Sequence, residues 1–286
     1  MIVVAWVKQD LMSMERFTHA VGRPYGHGST RSTCASSRMG RDLISCTSVS
    51  HFSNAVAIFI SRLIDNTAKL LLLKMSEVEY WTNYYSTLGN VEVPTESSTF
   101  AKFTSQWLAQ NEINMSEVSI VDLGCGTGRD SRFFASLGAR VIGVDQVKQN
   151  LKIDGVQYVT GDLANLHHDI VNEESVDIMY CRFVIHSLEK EDASNLYKWV
   201  QKSMKSGGLF FIEARSIADP LYLRGERNHV DPNVSVYGHF RRFIILDELI
   251  EELRQLGMEI LYHCERDNLS IHRDDNPVLV RLVCRK

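Results

Sequence analysis

Val121-Asp122-Leu123-Gly124-Cys125-Gly126-Thr127-Gly128 is the stretch on which the reading of this chain turns. The run from Val118 to Leu123 is short, apolar and β-branched, the pattern of a buried strand. The glycines after it let the backbone turn sharply and approach a ligand closely. Phe133, Phe134 and Leu137 then give a helix closed by Gly138. In an open parallel sheet, a strand, a glycine turn and a helix in this order mark a ligand site at the carboxyl ends of the strands.

The same alternation extends in both directions. Upstream, Phe100, Phe103, Trp107 and Leu108 share one helical face, and Ser97-Ser98 can cap that helix. Downstream, Arg140 to Val144 is a second strand ending in Asp145, Val156 to Thr160 a third, and Val176 to Cys181 a fourth. Leu196, Trp199, Val200 and Met204 place a helix between Lys190 and Lys205, stopped by Gly207-Gly208. Leu209 to Ala214 is a fifth strand, and Leu246, Leu249, Ile250, Leu253 and Leu256 form a helix ended by Gly257. Met258 to Cys264 and Pro277 to Cys284 are the last strands, joined only by a polar stretch that suits a hairpin. The expected fold is therefore α/β: a Rossmann-like, doubly wound, mainly parallel seven-stranded sheet. It has an antiparallel C-terminal hairpin strand at its end and helices on both faces.

Two ligand classes compete for the glycine loop. A dinucleotide fingerprint is G-x-G-x-x-G, with a pyrophosphate at the helix N-terminus. Counted from Gly124, its third glycine would fall at Arg129, whereas the spacing here is G-x-G-x-G. Asp122 would also repel a pyrophosphate, and it would suit a ligand carrying an ammonium group. An NAD(P)-dependent oxidoreductase is accordingly the disfavoured alternative.

Asp122 to Gly128 resembles motif I of the class I S-adenosylmethionine-dependent methyltransferases. The resemblance extends from about Ser97 to Arg285 and is best between Val118 and Glu213. It implies S-adenosyl-L-methionine as cofactor, bound by Asp122, Gly124, Cys125, Gly126 and Gly128. It also implies a ribose-binding acid at Asp145, with Gln146 beside it, since a carboxylate accepts two hydrogen bonds from a vicinal diol. Asp162 and Leu163 follow the third strand, where the family has a residue near the adenine amino group. Tyr180 to His186 occupies the family's motif IV, with Cys181 on the cofactor side, and Gly207-Gly208 matches the family's usual turn. Cys125 and Cys181 read as packing or backbone-contact positions rather than nucleophiles. A non-catalytic binding protein that keeps the fold is the alternative.

Enzymes of that family acting on adenine or cytosine amines carry Asn/Asp-Pro-Pro-aromatic at motif IV. Here the text is Cys181-Arg182-Phe183-Val184. With an acidic domain, this disfavours nucleic acid and points to a small-molecule acceptor. The stretch Glu213 to Phe243 holds Arg215, Arg224, Arg227, Arg241 and Arg242, with His229 and His239. It reads as a lid-like insertion over about 215–243, in which Arg215, Arg241 and Arg242 bind a phosphorylated, carboxylated or glycan-related acceptor. The alternative is a solvated loop whose arginines pair with Asp219, Glu226 and Asp231. His186 is the first candidate for a catalytic base, His239 the second, and Arg182 a candidate for orienting an anionic acceptor. The cluster Tyr80, Trp81, Tyr84 and Tyr85 is either an amphipathic helix packed on the sheet or a segment folded over cofactor or acceptor.

Residues 1–74 are written differently. Nine Lys+Arg against four Asp+Glu give them +5, so the remainder of a chain of net charge −4 carries −9. Ten serines and no periodicity suggest little packed structure. The expected domain is therefore 75–286, with Met75 as the biological start. A transit peptide or a real extra segment are the alternatives. The apolar run Ala55 to Leu73 contains Arg62, Asp65 and Lys69, each costing roughly 2.5–3.5 kcal/mol at a bilayer centre, so no membrane span is expected. At 44% hydrophobic and 23% charged residues, the composition excludes a disordered or collagen-like chain. The six cysteines form no CxxC pair and match no zinc framework, so no metal is expected and a reducing, cytoplasmic setting is the default.

Overall fold

A computed structural model describes residues 78–86, 96–148, 154–166, 170–228 and 231–286, all within the compact unit Ile60–Lys286. The leader 1–74, the apolar run at 55–73, the proposed start at Met75 and His229 lie outside the described residues.

In chain order the helices are α1 (residues 78–86), α2 (Thr99–Gln110), α3 (Arg129–Ser136), α4 (Lys190–Ser203) and α5 (Leu246–Gln255). The first strands are β1 (Ser119–Leu123), β2 (Arg140–Asp145), β3 (Val156–Thr160), β4 (Val176–Arg182) and β5 (Met204–Arg215). They are followed by β6 (Glu226–Arg227), β7 (Val234–Tyr237), β8 (His239–Arg242), β9 (Glu259–Arg266) and β10 (Leu279–Arg285). Seven strands form one sheet in the order β3-β2-β1-β4-β5-β10-β9. The first five are parallel, and β10 runs antiparallel to both neighbours. The chain winds outward one way through β2 and β3, then returns to start β4 beside β1. That reversal makes β1/β4 the topological switch point, where such sheets open a crevice.

Alternate side chains build a core on each face. Val121 and Leu123 of β1, Phe210 and Ile212 of β5, and Leu282 of β10 pack with Leu196 and Val200 of α4 and Leu249 and Leu253 of α5. Ile120, Ile178, Leu209, Phe211 and Val283 pack on the other face with Phe100 and Leu108 of α2 and Phe134 of α3. Ser98 caps α2, its Oγ accepting from Ala101 N at 3.0 Å. Ser98 also donates from N and Oγ to Asp130, which accepts from the Tyr180 hydroxyl at 2.8 Å. One buried carboxylate thereby joins α2, α3 and β4.

Three features differ from expectation. The hairpin is present, but its antiparallel strand β10 is inserted between β5 and β9, so β9 forms the edge. Gly207-Gly208 does not separate α4 from β5, because the strand already begins at Met204. Gly207, at φ +79°, donates to the Lys286 carbonyl, and Gly208 accepts from Lys286 N, which absorbs the pair into a bulged strand start. The insertion is a folded antiparallel sheet, β6-β7-β8, preceded by a short 3-10 turn at Pro220–Arg224.

Candidate active site

The glycine loop leaves β1 at the switch point. Gly124 N and Cys125 N both donate to the Val144 carbonyl, at 2.8 and 3.0 Å, which ties the loop to the end of β2. Gly124, Gly126 and Gly128 have φ of +70°, +54° and +72°, a region costly for residues with a Cβ. Space forbids a side chain as well: a Cβ on Gly126 would lie 2.8 Å from the Tyr85 hydroxyl, and one on Gly128 only 1.9 Å from the Tyr158 hydroxyl.

Asp145 ends β2 beside this loop. Its two carboxylate oxygens accept from Gly126 N and Val147 N, each at 2.9 Å. Burial raises its pKa, and those two N–H groups oppose the rise. Gln146 follows, half-buried. Asp162 lies in the exposed turn after β3, accepting from Ala164 N and Asn165 Nδ2, while Leu163 is buried facing Gly124. The sequence-predicted cofactor residues therefore converge on one edge. Asp122 belongs to it with a changed orientation. It is 2% exposed and accepts from the Ser131 hydroxyl at 2.6 Å, so its carboxyl turns toward α3 rather than outward to an ammonium ligand. Burial, with Asp130 as the next cause, pushes its pKa up to about 7. Burial also raises the thiols of Cys125 and Cys181, which opposes the thiolate form a nucleophile needs.

Helix α1 closes over this edge. Tyr80, Trp81, Tyr84 and Tyr85 join neither core. Tyr85 instead reaches the glycine loop, and Asp145 stands close enough to raise its pKa further after burial. Tyr80 and Trp81 meet His239 of β8, with ring centroids 4.5 and 5.2 Å apart. Tyr85 carried no more signal in the sequence than its neighbours.

Beyond β4 the arginines are engaged. Arg182 donates from Nε to Glu213 Oε1 at 3.0 Å and from Nη2 to Ser270 Oγ at 2.9 Å. Arg281 donates to the other oxygen of Glu213 at 2.6 Å. Arg182 is thus fixed between β5 and the loop before β10, and its guanidinium lies 4.2 Å from the Phe183 ring centroid. Phe183 has φ +58°, an uncommon value for a bulky residue and a store of local strain. Arg215 is spent on Asp219, at 2.7 Å, and on Asp275. Arg242 is spent on the carbonyls of Leu188 and Ile185, at 3.1 and 3.3 Å. These two therefore act as structural ties, not as open substrate forks. Arg241 donates to the Tyr237 carbonyl at 2.8 Å. The Glu213 and Arg281 partnership went unread in the sequence, since it joins residues 68 positions apart.

The histidines sort by their protons. His186, 5% exposed, accepts the Arg215 N–H at Nδ1, 3.3 Å away, so its neutral ring carries the proton on Nε2. Burial first, then Arg215, Arg241, His239 and Arg242, hold its pKa well below the ordinary histidine value. Without an open lone pair it is poorly placed as a base, contrary to expectation. His239 Nδ1 faces the Phe240 carbonyl at 3.0 Å, so the proton is on Nδ1 and Nε2 is the accepting nitrogen. Burial and Arg241 push its pKa down to about 4.

Residues 121–212 match the methyltransferase domain family. A curated relative is the cypemycin N-terminal methyltransferase of a Streptomyces species, 31% identical over 108 residues, 35% of this chain and 43% of that protein. The chain thus spans less than half the length of that relative. Among solved structures, 1,6-didemethyltoxoflavin-N1-methyltransferase of Burkholderia thailandensis, with S-adenosylhomocysteine bound, is 17% identical. It covers 74% of this chain and 89% of its own, with a TM-score of 0.53. An S-adenosylmethionine-dependent methyltransferase of Methanosarcina mazei is 18% identical and covers 63% and 96%, with a TM-score of 0.50. At these identities the two structures speak for the fold. Among the described residues, no helix is long and apolar enough to cross a membrane.

Proposed function

We propose, from the premise that this chain is by its domain at residues 121–212 a class I S-adenosylmethionine-dependent methyltransferase, that it methylates a small, anionic acceptor. The observation that carries the reading is the glycine loop, held at positive φ at the end of β1, with the Asp145 carboxylate beside it. The residues fit the cofactor. Three glycines hold the loop in left-handed backbone geometry, and Asp145 has lone pairs beyond those used by Gly126 and Val147 for a vicinal diol. Asp145 gives this side a negative character suited to a cation. When bound, S-adenosylmethionine supplies a methyl group already activated on a sulfonium, so the protein's contribution is alignment and exclusion of water.

The acceptor side has the opposite character. Arg182 and Arg281 share one carboxylate, and Arg242 donates to the Leu188 and Ile185 carbonyls. This surplus favours an ionised hydroxyl or carboxyl, which needs no strong base. Where a proton must leave, His239 is the candidate base. We assign the domain to 75–286, with 215–243 as an insertion that bounds the acceptor space.

Titration calorimetry of the full chain with S-adenosylhomocysteine tests the reading. Saturable binding is expected, and Asp145→Ala should lower the affinity by at least about tenfold, the weight of one charge-assisted hydrogen bond. Undiminished affinity in that variant would overturn the cofactor geometry.

A further inference from the structure

We propose that Tyr85 is a cofactor-contacting residue supplied from outside the two cores, and that α1, which carries it, couples cofactor binding to the placement of His239 in the insertion. Tyr80 and Trp81 are then positioning residues for His239. This rests on the methyltransferase reading and deepens it, because it names the residues through which the donor half of that site acts on the acceptor half.

The inward side of α1 is small, and it lands on the site. Of the nine residues at 78–86, Tyr80, Trp81 and Tyr85 are partly buried and the other six are exposed. None of the three enters either core. The Thr82 and Ser86 hydroxyls donate to the Val78 and Asn83 carbonyls of the same helix. Tyr85 comes down on the glycine loop, its hydroxyl 2.8 Å from the place a Cβ on Gly126 would take. Tyr80 and Trp81 meet His239 of β8, at ring-centroid separations of 4.5 and 5.2 Å. These contacts account for the rings that α1 buries.

A continuous chain of contacts joins the two ends. Trp81 and Tyr85 stand four residues apart on one face of α1, and their rings stack with centroids 6.1 Å apart and planes at 30°. Trp81 meets the His239 ring edge-on, at 67°. His239 is 7% exposed, and its Nδ1 faces the Phe240 carbonyl at 3.0 Å, so the ring is held by α1 on one side and by its own strand on the other. Gly126, Tyr85, Trp81 and His239 thus form a packed path from the methyl-donor loop to the first residue of β8. Packed rings pass a displacement on rather than absorb it. A cofactor lying along the glycine loop meets Tyr85 and offers its hydroxyl a hydrogen-bond partner. It therefore favours the arrangement in which the whole helix is seated, with Tyr80 and Trp81 against His239. His239 is the candidate base, so the acceptor half is completed by occupancy of the donor half.

The test is hydrogen–deuterium exchange of the full chain with and without saturating S-adenosylhomocysteine, beside calorimetric titration of the same compound. In the parent, the ligand should slow exchange at residues 78–86 and also at 234–243, by at least about threefold in each. Tyr85→Ala should weaken S-adenosylhomocysteine binding by at least about fivefold, and Tyr85→Phe, which loses only the hydroxyl, by a smaller factor. Trp81→Ala should still bind the ligand but lose the protection at 234–243, and Trp81→Phe, which restores a ring, should recover it. A purely structural Trp81 would change exchange there equally with and without ligand. Thermal melts followed by circular dichroism report whether each variant is folded. Three results would each overturn the proposal: exchange at 234–243 in the parent that ignores the ligand, undiminished affinity in a folded Tyr85→Ala protein, or full protection of 234–243 in a folded Trp81→Ala protein. Failure of the parent to bind S-adenosylhomocysteine overturns the methyltransferase reading, whereas binding without the distant protection overturns the coupling alone.

Discussion

Asp122 shows how a motif residue acts through its own ionisation. Buried beside Asp130 and Asp145, it holds its proton up to about pH 7 in the folded chain. Unfolded, an aspartate releases that proton near pH 4. An acid whose folded pKa lies above its unfolded value stabilises the fold fully below the unfolded pKa. That contribution is lost as pH rises through the folded one. Asp122→Asn keeps an oxygen for the Ser131 hydroxyl and cannot ionise. Its melting temperature should exceed that of the parent at about pH 8, and the difference should shrink toward pH 4. A difference that stays constant across this window would show that Asp122 does not titrate there. The identity of Asp122 was readable from the motif. Its inward turn was not, because Ser131 meets it only once α3 lies against β1.

Strands β4, β5 and β10 are joined at one side chain. Glu213 is fully buried and accepts from Arg182 of β4 and Arg281 of β10. Arg281 also reaches Thr99 Oγ1 at 3.1 Å and the Leu269 carbonyl at 2.9 Å, binding the start of α2 and the loop before β10 to the sheet. Removing a carboxylate from such a set leaves two guanidinium groups without it. Glu213→Ala should therefore cost about 3–5 kcal/mol, measured by urea unfolding. A loss below about 1 kcal/mol would mean that water replaces the carboxylate and that the network is not a clamp. The same network holds Arg182, expected to orient an acceptor, between Glu213 and Ser270 and over the Phe183 ring.

Two cores share one sheet, so the domain's faces are mechanically joined. Phe134 anchors one and Leu253 the other, both fully buried. Phe134→Ala and Leu253→Ala should each cost roughly 2–5 kcal/mol. They lie on opposite faces, so the double variant should lose the sum within about 0.5 kcal/mol. Calorimetry should show both losses in the same transition; a separate transition for one face would show that the sheet does not couple them. The chain's own text determined the order of strands and helices, the glycine turn and the acid at the end of β2. Each is written in local periodicity or in residues a few positions apart, which the backbone obeys before any distant contact forms. The tertiary structure alone decided that Arg215 would meet Asp275 and that Arg242 would meet the carbonyls after β4. It also placed the His186 proton on Nε2, set β10 inside the sheet edge, and brought α1 against His239. Those outcomes depend on which distant segments become neighbours, and a charge or ring has no partner until the strand order supplies one. The short strands of the insertion escaped notice for a related reason: two to four residues, several of them Arg or His, show no apolar alternation until pairing fixes them.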